Sequence, residues 1–232
     1  MTSNRPLIII GAGGVGVEAL WVARRMNDAQ IGVQDGDWQF IGFCDDNPSL
    51  SGSTVDGLKV LGTCQQFLRN WTGGALFFHC AVGNNRQREK LVKLFEFPGF
   101  HAATLVDPSA VVAESAHIGD GSYIGAFTVV APSAVIGRHV LVNTSVGIGH
   151  HSKLGDFAQV CPGARINGGC VVGERAFIGS NASLHPGISI GEGASVGANS
   201  FAIRSVKPHF SVMGVPARIM SRPSSDGSDA QR

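Results

Sequence analysis

The sequence predicts a chain in two unlike parts: a small parallel α/β sheet, then a solenoid that turns a corner every six residues. Three observations predict it. Strand-like and helix-like segments alternate up to about residue 104. From Val106 to Val196 every sixth residue is aliphatic, without a break. The composition, with 32 glycines and 7% aromatics in 232 residues, suits a turn-dense solenoid better than a sandwich or a helix bundle.

The front elements follow in order. Leu7–Ile10 reads as a strand running into GAGGVG, which satisfies G-x-G-x-x-G with Gly11, Gly13 and Gly16. An apolar-periodic helix is expected over 15–26. Phe40–Cys44 reads as a second strand closing on Asp45 and Asp46, residues 58–62 as a third, and 65–69 as a short helix. Leu76–Gly83 is the most strand-like run and precedes a helix within 86–95. Such alternation predicts a Rossmann-like parallel sheet covered on both faces. Ligands of such sheets gather at the carboxyl ends of the strands. There stand Gly11, Gly13 and Gly14, then Asp45 and Asp46, then Gly83, Asn84 and Asn85, with Arg88 one helical turn further on. A glycine loop opening a helix favours phosphate. It does not by itself establish a dinucleotide, because the acid expected about twenty residues on falls on Asp35 or Asp37, ahead of the second strand. Asn84 and Asn85 also fit plain helix capping.

The repeat explains the second part. Neither a helix nor a flat strand has a period of six. A chain that turns a corner every six residues does, with one aliphatic side chain per flat face pointing inward. The residue after the aliphatic one is often glycine (Gly119, Gly125, Gly137, Gly149), and the fourth after it is usually small (Ala110, Ala116, Ser122, Ala134, Ala158). Fixed-period self-similarity means stacked units burying one shared core. The expected domains are 1–104 and 105–220, followed by a disordered polar tail over 221–232.

Bulk numbers exclude several classes. A formal charge of +1 offers no field for nucleic acid or an anionic membrane, and no apolar run approaches a membrane span. The opening apolar run is too quickly broken by glycine to read as a signal peptide. The five cysteines show no CxxC spacing, so a reducing, cytoplasmic setting is expected.

The period, the ending GVPARIM (Gly214–Met220), the opening IIIGAGGVG and the CDD and VGNN segments together resemble the bacterial hexapeptide-repeat sugar acetyltransferases. These are the sialic acid O-acetyltransferases and the UDP-4-amino-sugar N-acetyltransferases. The resemblance spans residues 5 to 220. It implies a left-handed parallel β-helix, a hand that comes from the family, since parallel crossovers are otherwise right-handed. It also implies acetyl-CoA as cosubstrate, a nucleotide-linked amino sugar as acceptor, and a homotrimer with active sites between subunits. In this register IGHHSKLGDF places the family's general base at His150. Asn143 matches a position lining the cleft, Gln159, Gly168 and Ser180 match positions facing the donor, and Asp45 and Asp46 match contacts to the nucleotide.

The chemistry suits an imidazole, which titrates near neutral pH and can take the proton of an attacking amine or hydroxyl. This chain also departs from the family pattern. The acid that follows the base is His151 here, so either another carboxylate (Asp156 or Glu174) serves His150 or the base is weaker. A second cleft histidine is Gln159, and a glycine-loop histidine is Val15. Alternative readings are O-acetyl transfer to a sugar such as sialic acid, an NAD-binding oxidoreductase, and a noncatalytic scaffold. A zinc site of the carbonic-anhydrase kind lacks the histidine spacing, so no metal is expected. Cys161, with no base of its own, reads as packing.

Overall fold

The computed structural model describes residues 5–30 and 37–221. Of the tail expected over 221–232, Ser221 instead ends a β-strand (Ala217–Ser221), and residues 222–232, like Asp35, lie outside the described residues. The first domain is a four-stranded parallel sheet of order β2-β1-β5-β6. Its elements are β1 (Arg5–Ile10), α1 (Gly14–Asp28), β2 (Trp38–Cys44), β3 (Thr54–Val55), β4 (Leu58–Lys59), α2 (Cys64–Asn70), β5 (Leu76–Cys80), α3 (Asn85–Lys93) and β6 (Phe100–Ala102). Leu7, Ile8, Ile9 and Ile10 are all buried, as a strand covered on both faces requires.

One expected strand changes role. Residues 58–62 do not join the sheet; β4 pairs back on β3 as a small hairpin, and Val60 meets the sheet edge through a single bridge to Phe43. Asp56 and Gly57, both at positive φ (45° and 81°), form the two-residue turn that closes such a hairpin. The fourth strand of the sheet is β6 instead, and it leads directly into the repeats.

The second domain is a left-handed parallel β-helix. Its two-residue strands stack on three faces, each pairing with the strand eighteen residues on. The first face begins at Leu105–Val106 and includes Tyr123–Ile124, Leu141–Val142, Gln159–Val160 and Phe177–Ile178. The second includes Val129–Val130, Gly147–Ile148 and Arg165–Ile166, and the third Val135–Ile136, Lys153–Leu154 and Val171–Val172. Inward aliphatics such as Ile124, Ile136, Val142, Ile148 and Ile166 form one continuous column of core. Each contributes roughly 1.5–3 kcal/mol by leaving water. At the corners, the third residue after the inward aliphatic turns left-handed: Phe127, Ser133, His139, Ser145 and His151 all have φ between 53° and 60°. That is the conformation a type II corner needs.

The first domain sits on the first face. Leu105, Tyr123 and Leu141, which point outward from the coil, are buried in one cluster with Ala19, Leu20, Ala23 and Met26 of α1. No helix among the described residues is long and apolar enough to cross a membrane.

Candidate functional site

The glycine loop is built for close approach. Gly11 has φ 97° and donates its N–H to the Cys44 carbonyl at 2.8 Å. A Cβ on Gly16 would lie 2.0 Å from the Gly11 carbonyl oxygen, so α1 can rest on the loop only with glycine there. Gly13 caps α1 without a side-chain hydrogen bond, and the first turn carries no acid. Gly13 and Gly14 are exposed and face open space. The start of this fifteen-residue helix therefore presents unfilled N–H groups, the geometry that accepts phosphate.

Asp45 braces that loop. Its Oδ2 accepts from the Ala12 N–H at 2.7 Å and its Oδ1 from the Asn47 N–H at 2.8 Å. Asp46 is exposed and accepts from the Cys64 N–H at 3.1 Å, at the start of α2. Gly83 brings the two domains together, since a Cβ there would lie 3.9 Å from Val15 and 4.0 Å from the Gln159 amide nitrogen. Asn84 caps α3 by accepting from the Gln87 N–H at 2.9 Å.

Asn85 and Arg88 depart from the expected substrate role. Asn85 is buried, and its Nδ2 donates to the carbonyls of Arg175 and Ala176. Arg88 is fully buried, with its donors spent on the carbonyls of Val82, His139, Phe157 and Ala158 and on the Asn85 side chain. Burial pushes its guanidinium down to about 10, so it is still charged at neutral pH. These two residues rivet α3 to the β-helix and leave no group for a ligand. Arg175 adds an ion pair to Glu89 of α3 at 3.1 Å. The sequence held no sign of this, because polar residues at the start of a helix beneath a strand end look like ligand contacts.

His150 stands at the corner between the second and third faces, exposed, just after Gly147–Ile148. Its Nδ1 lies 3.1 Å from Nδ1 of His151, with the rings near perpendicular at 84°. One coil on, Gly168 makes room for the ring: a Cβ there would lie 2.6 Å from His150 Nε2. The two candidate carboxylates do not serve it. Asp156 and Glu174 follow third-face strands and stand at another corner, where Asp156 accepts from the Arg138 N–H at 2.7 Å and Glu174 pairs with Arg175 at 3.4 Å.

Asn143, Gln159 and Ser180 lie on or just past the first face. Asn143 is a rung between coils, donating to the Val160 carbonyl at 3.2 Å, as Asn167 does to Leu184 at 2.7 Å. Gln159 is buried under the first domain, its Nε2 3.9 Å from the Cys161 sulfur and its Oε1 without a hydrogen-bond partner. Burial pushes the Cys161 thiol up, away from nucleophilic use. Ser180, half-buried, accepts on its carbonyl from the Asn199 N–H. Among the described residues no group of three or more His, Cys, Asp or Glu is gathered around a metal position.

One chain thus carries two separate groups of candidate residues. The glycine loop, Gly83 and Gln159 cluster on the first face, whereas His150 and Gly168 occupy the corner opposite that face. With faces about six residues long, the two are separated by on the order of 15 Å through the coil.

The PglD N-terminal domain family matches residues 6–95, and the bacterial transferase hexapeptide (six repeats) family matches residues 169–201. The chain is similar to the acetyltransferase domain of PglB from Neisseria gonorrhoeae, at 30% identity over 94% of this chain and 100% of that one, with a TM-score of 0.82. It is also similar to PerB from Caulobacter crescentus, whose structure holds CoA and GDP-perosamine (28% identity, 94% and 99% covered, TM-score 0.83). A third similar structure is WeeI from Acinetobacter baumannii (29%, 94% and 100%, TM-score 0.82). No curated protein sequence matches the chain. A likeness at this identity, covering 94% of the chain, makes it a member of the hexapeptide-repeat sugar acetyltransferases, and so an acyltransferase.

Proposed function

We propose that the protein transfers an acetyl group from acetyl-CoA to the amino group of a nucleotide-linked amino sugar. The observation that carries this is the pairing, in one chain, of an open glycine loop at a helix start with an exposed imidazole over a glycine on a β-helix corner. The relative that holds CoA and GDP-perosamine supports the same pairing of ligands. The sugar nucleotide is held by the N–H groups of Gly13 and Gly14, with Asp45 and Asp46 alongside, and its amine is turned toward the β-helix. His150 Nε2 takes a proton from that amine, whose lone pair attacks the thioester carbonyl. The new C–N bond forms, the C–S bond breaks as the carbonyl re-forms, and the CoA thiolate leaves with the proton that His150 took, without a covalent enzyme intermediate. The Gln159 amide donates toward the oxygen on which charge develops, as preplaced donors do in acyl transfer.

Because the two groups of candidate residues face away from each other, we also infer a homotrimer in which the His150 corner of one copy meets the open glycine loop of the next. The test is a panel of UDP-, GDP- and CMP-linked amino sugars incubated with acetyl-CoA, with release of free thiol as readout. Turnover with one or more of them is expected, together with a loss of about 10²–10⁴-fold in His150→Ala. No acetylation of any amino sugar, or a variant with near-full rate, would reject the assignment.

A further inference from the structure

Resting on the reading of His150 as the base, we propose that His151 is its positioning residue: the Nδ1 of His151 accepts the Nδ1–H of His150 and so frees the His150 Nε2 lone pair above Gly168. Two ring nitrogens 3.1 Å apart can share only one proton between them, so this contact fixes a tautomer. If His150 donates, its Nε2 is unprotonated and basic. If His151 donated, His150 would carry its proton on Nε2 and could accept none from a substrate.

Among the described residues no other side chain at the corner is placed to do this work. The His150 column carries Pro132 one coil before and Gly168 one coil after, and the His151 column carries Ser133 and Gly169. None of these is titratable or charged. The nearest charged side chain along the chain, Lys153, is exposed on the third face, and Asp156 is committed to the Arg138 N–H. The orienting partner is therefore a neutral acceptor. When Nε2 takes a proton the Nδ1–H stays donated to His151, and no proton passes along the pair.

The backbone makes the test clean. His151 sits at φ 59°, a region that asparagine and aspartate enter with the least strain among non-glycine residues. Their Oδ1 also stands two bonds from Cβ, where His151 Nδ1 stands. His151→Asn keeps a neutral acceptor, His151→Asp adds charge to it, and His151→Leu removes it.

Expected are a kcat within about threefold of wild type for His151→Asn and a kcat at least about tenfold lower for His151→Leu, both with KM unchanged for the two substrates. For His151→Asp, the acid limb of the kcat–pH profile should move to higher pH, because a carboxylate favours the imidazolium. A leucine variant as active as the asparagine variant, together with an unmoved profile in the aspartate variant, overturns the proposal. If the leucine variant unfolds, the aspartate profile alone decides. His150→Gln is the control: retained turnover there defeats the reading of His150 as base, whereas its loss alongside unaltered His151 variants defeats the positioning role alone.

Discussion

His139 and His151 occupy the same place in the hexapeptide, three residues after an inward isoleucine or its equivalent, and both sit left-handed at φ 53° and 59°. Their fates are opposite. The first domain covers His139, which is 1% exposed and stacks between Phe78 and Phe157 at ring separations of 6.1 and 5.3 Å. Neither of its ring nitrogens meets a hydrogen-bond partner. Burial, with the cations of Arg138 and Arg88 nearby, pushes its imidazole down to about 3. His151 is exposed, with its Nδ1 3.1 Å from that of the neighbouring imidazole. The repeat supplies equivalent corners, and what lies over a corner decides whether its side chain packs or stays open to solvent.

The largest effect that would break this contrast comes from the seam. Arg88→Leu should take the guanidinium donor from the carbonyls of Val82, His139 and Phe157 and cost about 3–5 kcal/mol. Urea unfolding should then show the first domain melting apart from the β-helix. Acid should weaken the same seam. His79, fully buried and lowered to about 4 by desolvation, joins His139 there. Both folded values lie below the ordinary 6.5, so the unfolded chain binds protons first. Stability is full above pH 6.5 and falls as pH drops toward 4 and then 3, by roughly 3 kcal/mol per histidine at pH 4. Melting temperature measured from pH 7.5 to 4 should show that decline, and a flat profile would contradict the burial of both rings.

The open corner should respond in rate instead. Gly168→Ala puts a methyl 2.6 Å from His150 Nε2 and displaces the ring. The kcat should drop by about 10–100-fold while the melting temperature holds within about 2 °C. The smallest change expected is Asn143→Ala. Loss of its rung to Val160 should cost about 1 kcal/mol. A rate near wild type would identify Asn143 as purely a rung, whereas a large drop in kcat would restore it to the chemistry.

The same contrast explains what the sequence revealed. The period of six was legible because each face needs one inward aliphatic, and the place of His150 at an outward corner was legible because IGHHSKLGDF keeps its register in the repeat. The left-handed corner position was not legible: non-glycine residues such as Phe127, Ser133, His139 and Arg175 fill it more often than glycine does, so composition hides it. The interdomain rivets Asn85 and Arg88 were hidden for another reason. Their partners are backbone carbonyls fifty to ninety residues away, which leave no trace in side-chain identity. The sharing of the candidate site between a face and the opposite corner follows only when all three faces are tracked together.

The eighteen-residue coil pairing has a consequence for changes in chain length. Inserting one whole coil between Asn143 and His150 would move the imidazole about 4.8 Å along the axis without rotating it. Deleting a single residue there would instead turn every downstream aliphatic out of its column. The fold therefore tolerates exchange of letters at most outward positions but accepts added or lost letters only in whole turns.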